Sequence, residues 1–357
     1  MSHRVQLLVG TRKGAFILES DVARRDWELR GPFCETWPIH HVVRADDGTI
    51  FAAGGNAWYG PSVWRSGDDG VTWTQSSRGL TYGDEDPKIK TVWHLRPCDG
   101  ALYAGVEPAG LFRSEDGGQT WDHVAGLRDH PSQPEWQPGA GGLCLHSIAL
   151  HPTDRQRMWV GISAVGTFET ADGGATWATR NKGVRADFVP GPPPEFGQCV
   201  HKLRRHPARA EVLYQQNHCG VYRSDDGGRQ WIELTPGLPS EFGFPLVIHP
   251  HEPATIYVIP HAGPSDGRQM IEGHAAVWRS RDAGANWQQL DRGLPHENAF
   301  LTVLREAMSI DTLAKPGVYF GTSTGQVFGS TDEGDSWRLL IDFLPEIWSV
   351  EAAVIEA

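Results

Sequence analysis

Six copies of one eight-residue signature recur through the 357-residue chain: SGDDGVTW (66–73), SEDGGQTW (114–121), TADGGATW (170–177), SDDGGRQW (224–231), SRDAGANW (280–287) and STDEGDSW (330–337). Each sets a hydroxyl residue, an Asp, a Gly and a Trp at fixed offsets. A worn seventh copy lies upstream, with Ser20, Asp21 and Trp27 in the right order but without the glycines. The copies are spaced 46 to 56 residues apart, a period that marks a repeat architecture. A length prior alone would suggest two domains; the period overrides it.

The signature predicts a tight turn between two strands. Its hydroxyl and carboxylate can bond the turn's own backbone, its glycines supply positive φ, and its Trp opens the next strand and packs back over the turn. Each repeat runs in the same order: an apolar strand, a short turn often holding His-Pro, two further strands, the signature, and a fourth strand. In the unit around residues 145–180 these are LHSIAL, His151-Pro152, RMWVGIS, GTFET and TWATR. Alternating runs of five to seven residues punctuated by Gly, Pro and Asp are strands. Four per repeat make an all-β fold, a β-propeller. The opening VQLLVGT matches the second strand of a blade, and the closing IWSVEAAVI is a spare strand. Lending the tail to the first blade gives seven blades and removes two open edges. The expected organisation is one domain, 1–357, with blade one from 1–30 and 346–357 and the others at 38–77, 89–125, 143–180, 198–235, 244–291 and 299–341.

The signature resembles the Asp-box, or BNR, repeat of sialidase-like propellers, including bacterial single-propeller proteins often labelled glycosyl hydrolase or sialidase-like. The resemblance covers nearly the whole chain. It implies that the signature carboxylates (Asp68, Asp116, Asp172, Asp226, Asp282, Asp332) lie on an outer rim, remote from the active centre, and are structural. It does not imply sialidase activity. The early Phe/Tyr-Arg-Ile-Pro motif of sialidases is missing, and among seven tyrosines no Tyr–Glu nucleophile pair can be recognised.

A net charge of −12 argues against nucleic acid, which calls for a basic footprint. No apolar run approaches a membrane span, and the first residues lack a secretory signal's pattern. Five cysteines, odd in number and thinly spread, suit free thiols in a reducing compartment. The expectation is a cytoplasmic protein, with no nucleic-acid or membrane partner.

Loops on the signature face are short, for example HPTDRQR and HPARAE, whereas those on the opposite face are long and unlike one another, such as GGNAWYGPS and PHAGPSDGRQMIEGH. Long irregular loops gathered at one end of a rigid scaffold are where function concentrates. His146 and His201 hold equivalent places on neighbouring inner strands, each two residues after a cysteine (Cys144, Cys199). With His40 they are the predicted ligands of one divalent transition metal, since imidazoles converging on a channel mouth suit such an ion. His41 and His218 are further candidates, and hydrogen-bonded or acid–base roles are the alternative. Proton-transfer candidates on the same rim are Glu107, Glu195 and His218, with Lys90 to neutralise an anionic group. Arg268, Trp58, Trp93, Trp136, Gln198 and Gln216 are candidates for holding a sugar-like ligand.

Three functions fit these residues. The first is a hydrolase or lyase acting on a polar or carbohydrate-like small molecule, with histidines as metal ligands or acid and base. The second is a BNR-type glycoside hydrolase using a carboxylate pair such as Glu107 with Glu195 or Glu135. The third is a non-catalytic propeller that binds a ligand or partner.

Overall fold

The computed structural model describes residues 3–56, 58–83, 87–192 and 194–356; the predicted loops that include residues 57, 84–86 and 193 lie outside it at those positions, as do the outermost residues of blade one. The fold is an all-β seven-bladed propeller built of seven four-stranded antiparallel sheets. By packing, the chain divides into two compact units, residues 43–233 and residues 1–42 with 234–357. The second of these holds blades one, six and seven. Blades three, four and five lie in the first.

Blade one forms as the termini predict. Ile347–Glu356 pairs antiparallel with His3–Thr11, from His3 opposite Glu356 to Thr11 opposite Ile347. His3–Thr11 in turn pairs with Gly14–Asp21. Gly10 is required where these elements meet, because a Cβ there would lie 2.5 Å from the Ser349 Oγ and 2.8 Å from the Ile39 carbonyl oxygen.

The inner strands of three blades carry the same irregularity. In blade three the register with the second strand shifts between Val92 and His94, in blade four between Leu145 and Ser147, and in blade five between Val200 and Lys202. The extra residues are Trp93, His146 and His201. A bulge re-aims the side chain it carries and interrupts regular pairing, so three of the predicted site residues sit where the backbone gives their direction special freedom.

The cores lie between successive sheets. Around blade four they include Leu145, Val160, Phe168 and Trp177, all buried. Around blade five they include Val200, Leu213, Tyr222 and Trp231. No helix among the described residues is long and apolar enough to cross a membrane.

Candidate functional site

Each signature closes on itself. In the first, the Ser66 hydroxyl donates to Asp68 Oδ1 (2.8 Å) and accepts from the Gly70 N–H (2.8 Å). The Thr72 N–H and hydroxyl donate to the two carboxylate oxygens, at 2.8 and 2.5 Å. The third copy repeats this with Thr170, Asp172, Gly174 and Thr176. Donation from the side chain and backbone of the following Thr holds Asp68, Asp116 and Asp172 down at a pKa of about 2, and Asn286 does the same for Asp282. A carboxylate whose oxygens are all engaged in its own turn is a structural acceptor. The indoles complete the unit: a Cβ on Gly174 would lie 3.6 Å from the Trp177 ring.

On the opposite face, Glu107 ends the second strand of blade three, Ala101–Glu107. Lys90 Nζ donates to its Oε1 and Trp93 Nε1 to its Oε2, each at 3.0 Å. Its side chain is 14% exposed. Gly142, from the link into blade four, lies so close that a Cβ would come within 2.8 Å of the carboxylate. Three residues singled out by sequence thus form one unit, a carboxylate oriented by a cation and an indole. Trp93 serves as a positioning donor to Glu107.

His146 is fully buried. Its Nε2 donates to the Val200 carbonyl oxygen of blade five at 2.9 Å. Its Nδ1 meets the Ser147 hydroxyl at 3.1 Å, and that hydroxyl also accepts from the Leu203 N–H at 3.1 Å. Both ring nitrogens are thereby engaged in joining blades four and five, and the Ser147 hydroxyl has its proton available for Nδ1. The His201 ring lies edge-on to His218 (centroids 5.6 Å apart), and His218 lies edge-on to Phe188 (5.0 Å). The donor atoms of Cys199, His201 and His218 all fall within 4.8 Å of one another.

Other predicted residues are placed as follows. His40 stacks on Trp348 (centroids 4.3 Å); burial and the nearby Arg305 guanidinium push its pKa down to about 3. Neither His40 nor His146 belongs to a metal-capable group of three or more side chains among the described residues. Of the predicted trio, His201 alone belongs to such a group among the described residues. Trp136 is corrected too: it is 6% exposed, donates to the Ser132 hydroxyl and packs on Phe168, so neither ring face is open to a ligand. Gln198 and Gln216 are buried and donate to backbone carbonyls, Gln198 to Pro194 and Gln216 to Asn217 and Gly220; their role is in the blade, not on a surface. Glu195 is exposed and accepts from the Thr179 hydroxyl at 2.8 Å. Arg268 lies half-buried in the long loop of blade six, with its carbonyl accepting from Thr302. Trp58 is 92% exposed and Tyr59 68% exposed.

Two features escaped the sequence. Glu306 is buried with its Oε2 3.8 Å from His41 Nε2; nothing in the local pattern marks a carboxylate in that core. A cavity of about 80 Å³ opens along the inner strands of blades three to five, where His94, Arg96, Lys202, Arg204 and Arg205 contribute to its wall. The run VHKLRR in blade five was its one visible trace.

No family model matches the chain. Among curated proteins it is similar to an oligoxyloglucan-reducing end-specific xyloglucanase of Emericella nidulans, 31% identical over 170 residues, which covers 41% of this chain and 19% of that protein. It is also similar to a xyloglucanase of Hypocrea jecorina, 25% identical over 294 residues, covering 71% of this chain and 33% of that one. The chain thus spans 19% and 33% of the length of these curated relatives. Among solved structures, a GH74 enzyme of Niastella koreensis superposes with a TM-score of 0.54 at 15% identity, covering 96% of this chain and 65% of that one. YCF48 bound to D1 peptide superposes with a TM-score of 0.58 at 15% identity, covering 84% and 80%. At such identities the structural likeness is one of fold.

Proposed function

We propose that the protein is a carbohydrate-directed hydrolase that binds a saccharide on the long-loop face and uses Glu107 as its principal carboxylate. The observation that carries this is the Lys90–Glu107–Trp93 unit. A carboxylate held at both oxygens keeps one direction, and a directed carboxylate is what glycosidic cleavage requires, whether it acts as acid, base or nucleophile. The similarity to two xyloglucanases supports a polysaccharide-derived substrate. Trp58 and Tyr59, exposed on the blade-two loop, supply the apolar surfaces on which sugar rings stack. Glu195, exposed and hydrogen-bonded to Thr179, is the candidate second carboxylate.

The test is hydrolysis of xyloglucan-derived oligosaccharides and a panel of β-glucans by the wild type and by Glu107→Gln. Positioned acid–base groups contribute roughly 10²–10⁴-fold to rate, so the variant should lose at least about 100-fold in kcat while keeping its melting temperature. A variant as active as the wild type would rule out Glu107. Failure of the wild type to cleave any of these saccharides would remove the hydrolase proposal.

A further inference from the structure

The same structural positions recur on three blades, and their occupants differ in an informative way. In blade four the Ser163 N–H donates to the Cys144 carbonyl; in blade five His218 donates to Cys199; in blade six His261 donates to Phe242. Two residues beyond each acceptor, at the register shift of the inner strand, stand His146, His201 and Phe244. The equivalent triplets are therefore Cys144–His146–Ser163, Cys199–His201–His218 and Phe242–Phe244–His261. Blade six has one metal-capable side chain of three. Blade four has two. Blade five alone of the three carries a thiol and two imidazoles.

We propose that Cys199, His201 and His218 form a transition-metal centre of the zinc class. One sulfur and two nitrogens suit a borderline-soft ion and disfavour magnesium or calcium, which prefer oxygen. Donors already within 4.8 Å of one another need only small side-chain rotations to meet an ion at about 2.0–2.3 Å. Three protein ligands leave a coordination position for water or a substrate oxygen, the pattern of a catalytic rather than a closed structural site. Two polar atoms on flanking residues are also left open. Gln198 Oε1 and Asn217 Nδ2, on residues adjoining Cys199 and His218, are buried without a hydrogen-bond partner, although both residues are fully buried. Buried polar atoms left open call for a water or ligand that the protein alone does not supply.

The centre does not depend on the saccharide proposal, because stoichiometry and spectrum report it rather than turnover. The full chain, stripped with chelator under reducing conditions, is titrated with Co²⁺ and then with Zn²⁺. The expected result is one Co²⁺ per chain, a near-ultraviolet sulfur-to-cobalt charge-transfer band, and displacement by one equivalent of Zn²⁺. Cys199→Ser should abolish that band. His218→Ser, which installs the residue blade four already has there, should weaken binding at least tenfold. Cys144→Ser should change neither. X-ray absorption of the Co²⁺-loaded wild type, expected to show one sulfur and two imidazoles, covers the case in which a variant fails to fold. Absence of stoichiometric uptake, or a charge-transfer band that survives Cys199→Ser, would overturn the proposal.

Discussion

Replacing His146 by Ala separates a ring that joins two blades from one that holds an ion. The ring is fully buried and hydrogen-bonded at both nitrogens, to Val200 and Ser147. Removing a buried side chain of this size costs about 2–4 kcal/mol through lost burial and the cavity left behind. Losing the bond to the Val200 carbonyl adds about 1 kcal/mol. The sum, about 3–5 kcal/mol, is set against an unfolding entropy of about 0.75 kcal/mol/K for a chain of this length, so the melting temperature should fall by about 4–7 °C. Calorimetry or circular dichroism reads the fall, and Co²⁺ uptake below the transition should match the wild type. A variant with an unchanged melting temperature but diminished metal uptake would refute the structural role given to His146.

Two further substitutions test other parts of the scaffold. Glu169, 4% exposed, accepts from Arg157 Nε and Arg180 Nε, each at 2.6 Å. Glu169→Ala should cost about 3–5 kcal/mol in urea unfolding, because two guanidiniums lose a buried partner; a cost below about 1 kcal/mol would show that water replaces it. Asp172 is held at a pKa of about 2, below its ordinary value of 3.8. Its stabilising contribution is therefore present above about pH 4 and is lost as pH falls through about 2. Asp172→Asn should be less stable than the wild type at neutral pH, with the gap closing in acid. A gap that stays constant from pH 7 to pH 2 would contradict the assignment.

The blades were legible because their signals are local. The Ser66–Asp68–Gly70 unit completes its hydrogen bonds within a few residues, so its spacing alone dictates the turn. Pairing of the tail with His3–Thr11 followed from counting strands. Glu107 and Lys90 could be chosen as chemical groups, but their pairing depends on a strand-to-link contact across 17 residues. His146 and His201 look identical in sequence, each two residues after a cysteine. Their surroundings separate them: the hairpin beside His201 carries His218, which lies edge-on to it, where blade four has Ser163. That difference is set by the neighbouring chain, not by the motif. Trp136 misled for a similar reason: an aromatic in a long Pro-rich loop reads as exposed until the Ser132 and Phe168 contacts that bury it are known.

The pairing of Ile347–Glu356 with His3–Thr11 also has a kinetic side. During synthesis His3–Thr11 must wait, with one edge uncovered, until Ile347–Glu356 has left the ribosome. Closing so long a loop is entropically slow, and the waiting edge is a ready template for a strand from another chain. Nascent copies crowded on one message would thus be at greatest risk of tangling before residues 347–356 emerge, and a chaperone that shields the first blade would do the most good there.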